Sequence, residues 1–265
     1  MLMARWCVVG SCVLITACGR FGVAANNPPA DAAILDTDPA DSEPEIADLV
    51  ARYRMDDEIV GGLVPASDAA YDGGCVAEDC PVSIAGQIGG AYAFNGMQRI
   101  ALSAAASALI GASPFTVSIW IEPVASETAT TLVAKPYGAL AATDVAALAT
   151  RNGMRNPTFE TTSDGQHFDY LDTPTETDVT VGGWHHVAVS WNGTAKRIYL
   201  DGEQVGFAPA TFLTSNETLW LGADADAGDP IHYYTGALDD MRIYARALLA
   251  EEVATLAHPG AAAAR

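Results

Sequence analysis

Residues 183–207 read GWHHVAVSWNGTAKRIYLDGEQVGF. Val187, Val189 and Trp191 alternate with His186, Ala188 and Ser190, the period of a strand with one face buried. Asn192-Gly193 and Asp201-Gly202 are turn dipeptides, because Asn, Asp and Gly tolerate the left-handed backbone that tight hairpins need. The stretch therefore predicts strand, turn, strand, turn, strand: an antiparallel meander of VAVSW, KRIYL and EQVGF.

The same period extends outward. Phe115, Val117, Ile119 and Ile121 alternate with Thr116, Ser118, Trp120 and Glu122, and Leu219 and Leu221 flank Trp220. Only Leu248 to Leu256 has apolar residues at helical spacing. Many short strands with Gly-rich turns predict an all-β, two-sheet antiparallel sandwich with one short C-terminal helix. A doubly wound α/β fold would need helices of about ten residues between strands, and none is readable.

Of the 265 residues, 13 are Lys or Arg and 33 are Asp or Glu, a formal charge of −20. Nucleic acid and anionic membrane surfaces are repelled by such a body before contact. Half the residues are apolar and 17% charged, which suits a globular domain.

Both ends of the chain read differently. Residues 1–17 carry an early Arg5, then an apolar stretch from Trp6 to Ala17, and no acid, the plan of a secretory signal. The segment ends Leu14-Ile15-Thr16-Ala17-Cys18, which resembles the lipobox of bacterial lipoproteins. That resemblance implies cleavage before Cys18 and acylation of its sulfur, hence a stable lipid anchor. Gly19 after the Cys implies the outer membrane if the cell is Gram-negative, with the body facing the periplasm or the exterior. Residues 18–46 are rich in Pro, Ala, Asp and Asn, a solvated tether reaching about 100 Å at most. Residues 47–258 form the body, and 259–265 a tail. Loss of Cys7 and Cys12 with the signal, and of Cys18 to lipid, leaves Cys75 and Cys80. An even pair in an oxidising compartment predicts a disulfide, worth roughly 2 kcal/mol for so small a loop. The alternative, a metal pair, lacks a second Cys or His pair at zinc-like spacing.

Four stretches in order resemble the laminin-G-like jelly roll of the concanavalin A-like lectin/glucanase superfamily: LVARYRMD (49–56), GQIGGAYAFNG (86–96) followed by FTVSIWI (115–121), GWHHVAVSWNG (183–193) and GALDDMRIYARAL (236–248). The resemblance covers about 49–256. Many relatives have an Asn/Gly-rich loop after the first strand; here residues 67–74 read SDAAYDGG, so no role of that loop carries over.

The superfamily includes glucanases with a Glu-x-Asp-x-x-Glu or Glu-x-Asp-x-Glu strand, whose alternate carboxylates share one face for retaining hydrolysis. No such run exists here, so no catalytic residue is assigned and a non-enzymatic role is expected. His185 and His186 are adjacent on a strand and point to opposite faces, so they cannot hold one metal together. The run Leu221-Gly222-Ala223-Asp224-Ala225-Asp226 resembles the calcium loop of pentraxins, which places Asp224 and Asp226 on ligand positions. Asp144 falls near another such position, without the neighbouring Asn. Asp56, Asp239 and Asp240 form a second acidic set, since first and last strands are often neighbours in this fold. Trp120 shares a face with Thr116, Ser118 and Glu122. If that face is open, Trp120 with Tyr137 offers what sugar rings stack on; if it is covered, Trp120 is core. The expectation is a lipid-anchored surface module that binds glycan or a protein partner, with calcium as cofactor. A divergent glycan hydrolase or lyase and an architectural envelope protein are the alternatives.

Overall fold

The structure, a computed structural model, describes residues 46–151, 153, 155–226 and 228–259. The signal segment, Cys18, nearly all of the tether and the end of the tail lie outside the described residues. In chain order the first six strands are β1 (Leu49–Tyr53), β2 (Leu63–Val64), β3 (Gly73–Gly74), β4 (Val82–Ala85), β5 (Gly90–Asn95) and β6 (Ile100–Leu102). After helix α1 (Ala104–Ala108) come β7 (Phe115–Pro123), β8 (Thr130–Pro136), β9 (Asp144–Arg151), β10 (Asn156–Thr161) and β11 (Asp169–Asp172). The meander follows as β12 (His185–Trp191), β13 (Ala195–Leu200) and β14 (Glu203–Pro209). The chain continues with β15 (Trp220–Leu221), β16 (Asp224–Asp226), β17 (Asp229–Ile231), β18 (Thr235–Tyr244) and helix α2 (Ala250–Ala257).

Two sheets form the sandwich. The first has the order β14-β13-β12-β7-β18-β5-β4, with β1 also on β18; the second runs β11-β10-β9-β8-β15-β6-β3-β2; β16 and β17 make a separate hairpin. The expected meander is present, with Val189 opposite Ile198 and Ile198 opposite Gly206. Its second turn needs left-handed backbone at both central residues, and Asp201 (φ 48°) and Gly202 (φ 85°) supply it.

The core lies between the sheets. Phe115, Val117, Ile119 and Ile121 of the first sheet and Val133, Leu148, Phe159 and Leu221 of the second belong to one buried cluster. Cross-strand pairing explains why. Leu171, Phe159, Leu148, Val133, Leu221 and Ile100 are successive partners across six strands, so they form one row on one face. The only two lysines cross into this interior. Lys135 Nζ donates to the carbonyls of Ser107 and Ile110, both at 2.8 Å, at the C-terminal end of α1, where unpaired carbonyls favour a cation. Lys196 Nζ reaches the second sheet through Thr161 Oγ1 at 2.9 Å and the Asp169 carbonyl.

The outer face of the first sheet is also covered. Ala188, Tyr199 and Tyr244 form a second apolar cluster with Leu248, Val253 and Leu256 of the α2 region. Trp120 is thus not on an open face. It is 6% exposed and its ring meets His186 edge-on at 5.3 Å, so it packs and offers no platform to a sugar. Helix α1, capped by Ser103 accepting from Ala106 N, adds a second helix to the single one expected. Its Ala-rich sequence has no apolar period to announce it. Cys75 and Cys80 form the expected disulfide.

Candidate functional site

The row beside the core row faces the other way. Tyr170, Glu160, Ala147, Ala134, Trp220 and Ala101 are successive cross-strand partners from β11 to β6. They therefore line the outer face of the second sheet. The row has an aromatic toward each end and an alanine floor in the middle. The Arg99 guanidinium lies 4.6 Å from the Trp220 ring centroid, and that of Arg151 lies 4.1 Å from the ring of Tyr170. Phe168 stacks on Tyr170 at 5.5 Å. Phe168 and Tyr170 also line a groove of about 730 Å³ with Gly193, Thr194 and Pro209.

Carboxylates gather at this face. Strict alternation from Leu148 and Ala146 would turn Asp144 toward the core. A register shift between Lys135 and Pro136 breaks that alternation at the start of β9. Such bulges re-aim side chains, and the Asp144 carboxyl shares a hydrogen bond with Asp224, with Glu160 and Asp226 also acting on it. Burial, then the Asp224 charge, push the Asp144 carboxyl far above the usual carboxylate range, so it holds a proton at neutral pH. Burial likewise raises Glu160 to about 7, against the pull of Arg151. Asp224 Oδ1 accepts from Ala225 N at 2.6 Å, while its Oδ2 lies 3.9 Å from His232 Nδ1. That carboxylate raises the His232 imidazole above its ordinary value.

The residues singled out in the sequence are therefore placed unequally. Asp144 and Asp224 meet, and Asp226 acts on the pair. Tyr137 is half-buried beside them: it follows Pro136, the partner of Asp144, and its ring lies against Gly165, where a Cβ would fall 2.3 Å from Cε1. Trp120 is on the other sheet. His185 bonds Asp201 Oδ2 at 2.9 Å and the Val181 carbonyl at 2.8 Å, and His186 is buried with Nδ1 unpartnered. Asp240 of the second acidic set is neutralised by Arg52 Nε at 2.5 Å and Arg242 Nε at 2.8 Å. Trp220, Arg99, Tyr170, Arg151 and Glu160 were not singled out as a set, since only strand pairing aligns them.

All the donors near Asp144 are oxygens apart from His232, which suits a hard cation such as calcium. Among the described residues, however, no three His, Cys, Asp or Glu side chains are arranged to hold a metal. A cation there would have to displace the proton that Asp144 holds.

No curated protein matches the chain. Among solved structures, domain 4 of AbnA, a GH43 extracellular arabinanase from Geobacillus stearothermophilus in complex with arabinotriose, is similar at 23% identity and a TM-score of 0.61, over 81% of this chain and all of that one. A Trypanosoma rangeli sialidase is similar at 14% identity and a TM-score of 0.59; the match covers 80% of this chain but only 33% of the sialidase. The binding domain of Paraclostridial Mosquitocidal Protein 1 is similar at 15% identity and a TM-score of 0.56, over 77% of this chain and 52% of that one. At these identities the likeness concerns fold. A family profile, Laminin_G_3, matches residues 94–254, more than half of the chain. The meander, the two antiparallel sheets and this match together place the chain in the concanavalin A-like lectin/glucanase superfamily.

Proposed function

We propose that this protein is a carbohydrate-binding module held at the cell envelope by a lipid on Cys18, with the sugar engaged on the outer face of the second sheet. The observation that carries the reading is the cross-strand row Tyr170–Glu160–Ala147–Ala134–Trp220. The aromatic and polar groups toward the two ends of the row contribute stacking and hydrogen bonds. Asp144, Asp224 and Asp226 are the residues that would hold calcium, and Tyr137 stands at their margin. When bound, calcium would supply positive charge for sugar hydroxyls. The chain's own residues orient the ring and exclude water. No helix among the described residues is long and apolar enough to cross a membrane.

The test is binding of the full chain to a glycan panel, with and without chelator. Trp220→Ala and Tyr170→Ala are each expected to weaken binding roughly 30-fold, as removal of an aromatic hot spot does. Absence of any glycan ligand, or binding indifferent to both substitutions, overturns the reading.

A second reading rests on one observation: two carboxyls with raised pKa, Asp144 and Glu160, face a common site with Asp224. Such shifts suit general acid–base work. A divergent hydrolase or lyase would release sugar from a glycan panel and lose that activity in Glu160→Gln. Unchanged glycans after prolonged incubation exclude it.

A further inference from the structure

The Cys75–Cys80 disulfide stands where the chain crosses from one sheet to the other. Strand β3, just before Cys75, pairs with β6 in the second sheet, Gly74 opposite Ala101. Strand β4, just after Cys80, pairs with β5 in the first. The disulfide closes the loop CVAEDC (75–80) at that crossing.

Little else holds this loop. Residues 77–79 make a single 3-10 turn, in which Asp79 N donates to the Val76 carbonyl at 2.7 Å and Cys80 N to the Ala77 carbonyl at 3.2 Å. Val76, Ala77 and Glu78 are exposed, so packing contributes little to it. Ala77 has a φ of 37°, in the left-handed region that is costly for a residue with a Cβ. So short a turn, with one residue strained, persists because a covalent link keeps its ends together.

The loop in turn holds a charge on the outer face of the second sheet. The Asp79 carbonyl accepts from Arg99 N at 2.9 Å. Asp79 Oδ2 lies 3.5 Å from Arg99 Nε, which is buried with no hydrogen bond. Arg99 immediately precedes β6, and its guanidinium is the one 4.6 Å from the Trp220 ring centroid. Trp220 is placed independently, by pairing with Ala101 and Ala134. The ring is thus set by the sheet, and the cation over it by the disulfide loop. Cys75 and Cys80 are half-buried rather than sealed, which leaves them open to a small dithiol.

We propose that Asp79 and the Cys75–Cys80 disulfide position Arg99 over Trp220, and that opening the disulfide frees this arm and weakens ligand binding at that end of the face. In the opening step two electrons and two protons pass from a dithiol to the two sulfurs. The S–S bond breaks, two thiols form, and the dithiol closes to its own disulfide. Asp79 is a positioning residue, since it acts through Arg99. The effect on binding rests on the glycan reading above, whereas the link from disulfide to ring does not.

The experiment uses the full chain with dithiothreitol, and has one arm without ligand and one with the glycan panel. Without ligand, reduction should change the tryptophan emission of the wild type. The same treatment should leave Trp220→Phe and Arg99→Gln unmoved. Asp79→Asn keeps the disulfide and should already show the reduced-type emission, while Asp79→Glu, which keeps the charge, should stay near wild type. Cys75→Ser with Cys80→Ser should match the reduced wild type and ignore the dithiol. With ligand, reduction and Asp79→Asn should each weaken glycan binding roughly two- to fivefold, the loss expected of one cation over a ring. Emission indifferent to both reduction and Asp79→Asn, or equal glycan affinity in the two redox states, overturns the proposal. If the wild type binds no glycan yet keeps the emission change, the glycan reading fails and the positioning of Arg99 by the loop stands.

Discussion

The two outer faces of the sandwich are built from the same alternating strands and end up as opposites. On the first sheet, Trp120, His186, Tyr199 and Tyr244 are sealed, partly by the α2 region. On the second, Tyr170 is 44% exposed and Trp220 half-buried around a floor of alanines. An aromatic at an outward strand position is therefore not in itself a binding group. What covers the face decides: a C-terminal segment distant in the chain seals the first, while on the second Ala134 and Ala147 are buried and only the aromatic ends of the row reach solvent.

The largest expected contrast comes from the two tryptophans. Trp120→Ala should cost about 3–5 kcal/mol of stability by leaving a cavity, seen as a lower denaturant midpoint. Trp220→Ala should change stability by less than about 1 kcal/mol and act on ligand binding instead. Equal destabilisation by both would erase the distinction between the faces.

Acid should separate the faces by sign. Burial, then Arg242, depress His186 to about 3 from 6.5. Its contribution to stability is complete above about pH 6.5 and is lost as pH falls from there toward 3, on the order of 5 kcal/mol in all. His186→Gln should flatten the acid limb of a Tm-versus-pH profile; an unchanged limb would show that His186 is not the group responsible. Asp144 works in the reverse direction. Its folded pKa lies far above its ordinary 3.8, so its contribution is fully present below about 3.8 and declines as pH rises through the folded value. Asp144→Asn should therefore stabilise the calcium-free protein at pH 7 by about 1–2 kcal/mol. That gain should disappear below about pH 4, and a gain independent of pH would mean the proton is elsewhere.

The smallest effect sharpens the same contrast. Arg99→Gln removes the guanidinium over Trp220 and should cost about 0.5–1 kcal/mol. If glycan binds beside that ring, affinity should fall severalfold with little change in Tm.

Much of this molecule was legible along the chain. Val187 to Phe207 announced its own strands and turns, because a meander is local: each strand pairs with the next, and two dipeptides set the reversals. Cys75 and Cys80, five residues apart, were equally local. Trp120 was not decided, since alternation says which residues share a face and nothing about what lies on it. Lys135 and Lys196 carry no sequence mark of burial; their ammonium groups are accommodated by carbonyls and a hydroxyl from other elements. Asp144 could not be oriented from its strand, because the irregular register with β8 that frees it from strict alternation is a property of the pair.

By itself, then, the amino-acid order determined the strand period, the hairpin turns, the family likeness and the cysteine pair, all set by neighbours within a few residues or by one short pattern. Tertiary structure alone decided which outward aromatics are sealed, that Asp144 and Asp224 meet, and that Asp239 is buried with an unpartnered oxygen while Asp240 meets two arginines. Those outcomes depend on pairing between segments far apart in the chain, as with Arg52 and Asp240, 188 residues apart. Side-chain environment is a sum over such distant partners, and no local pattern contains it.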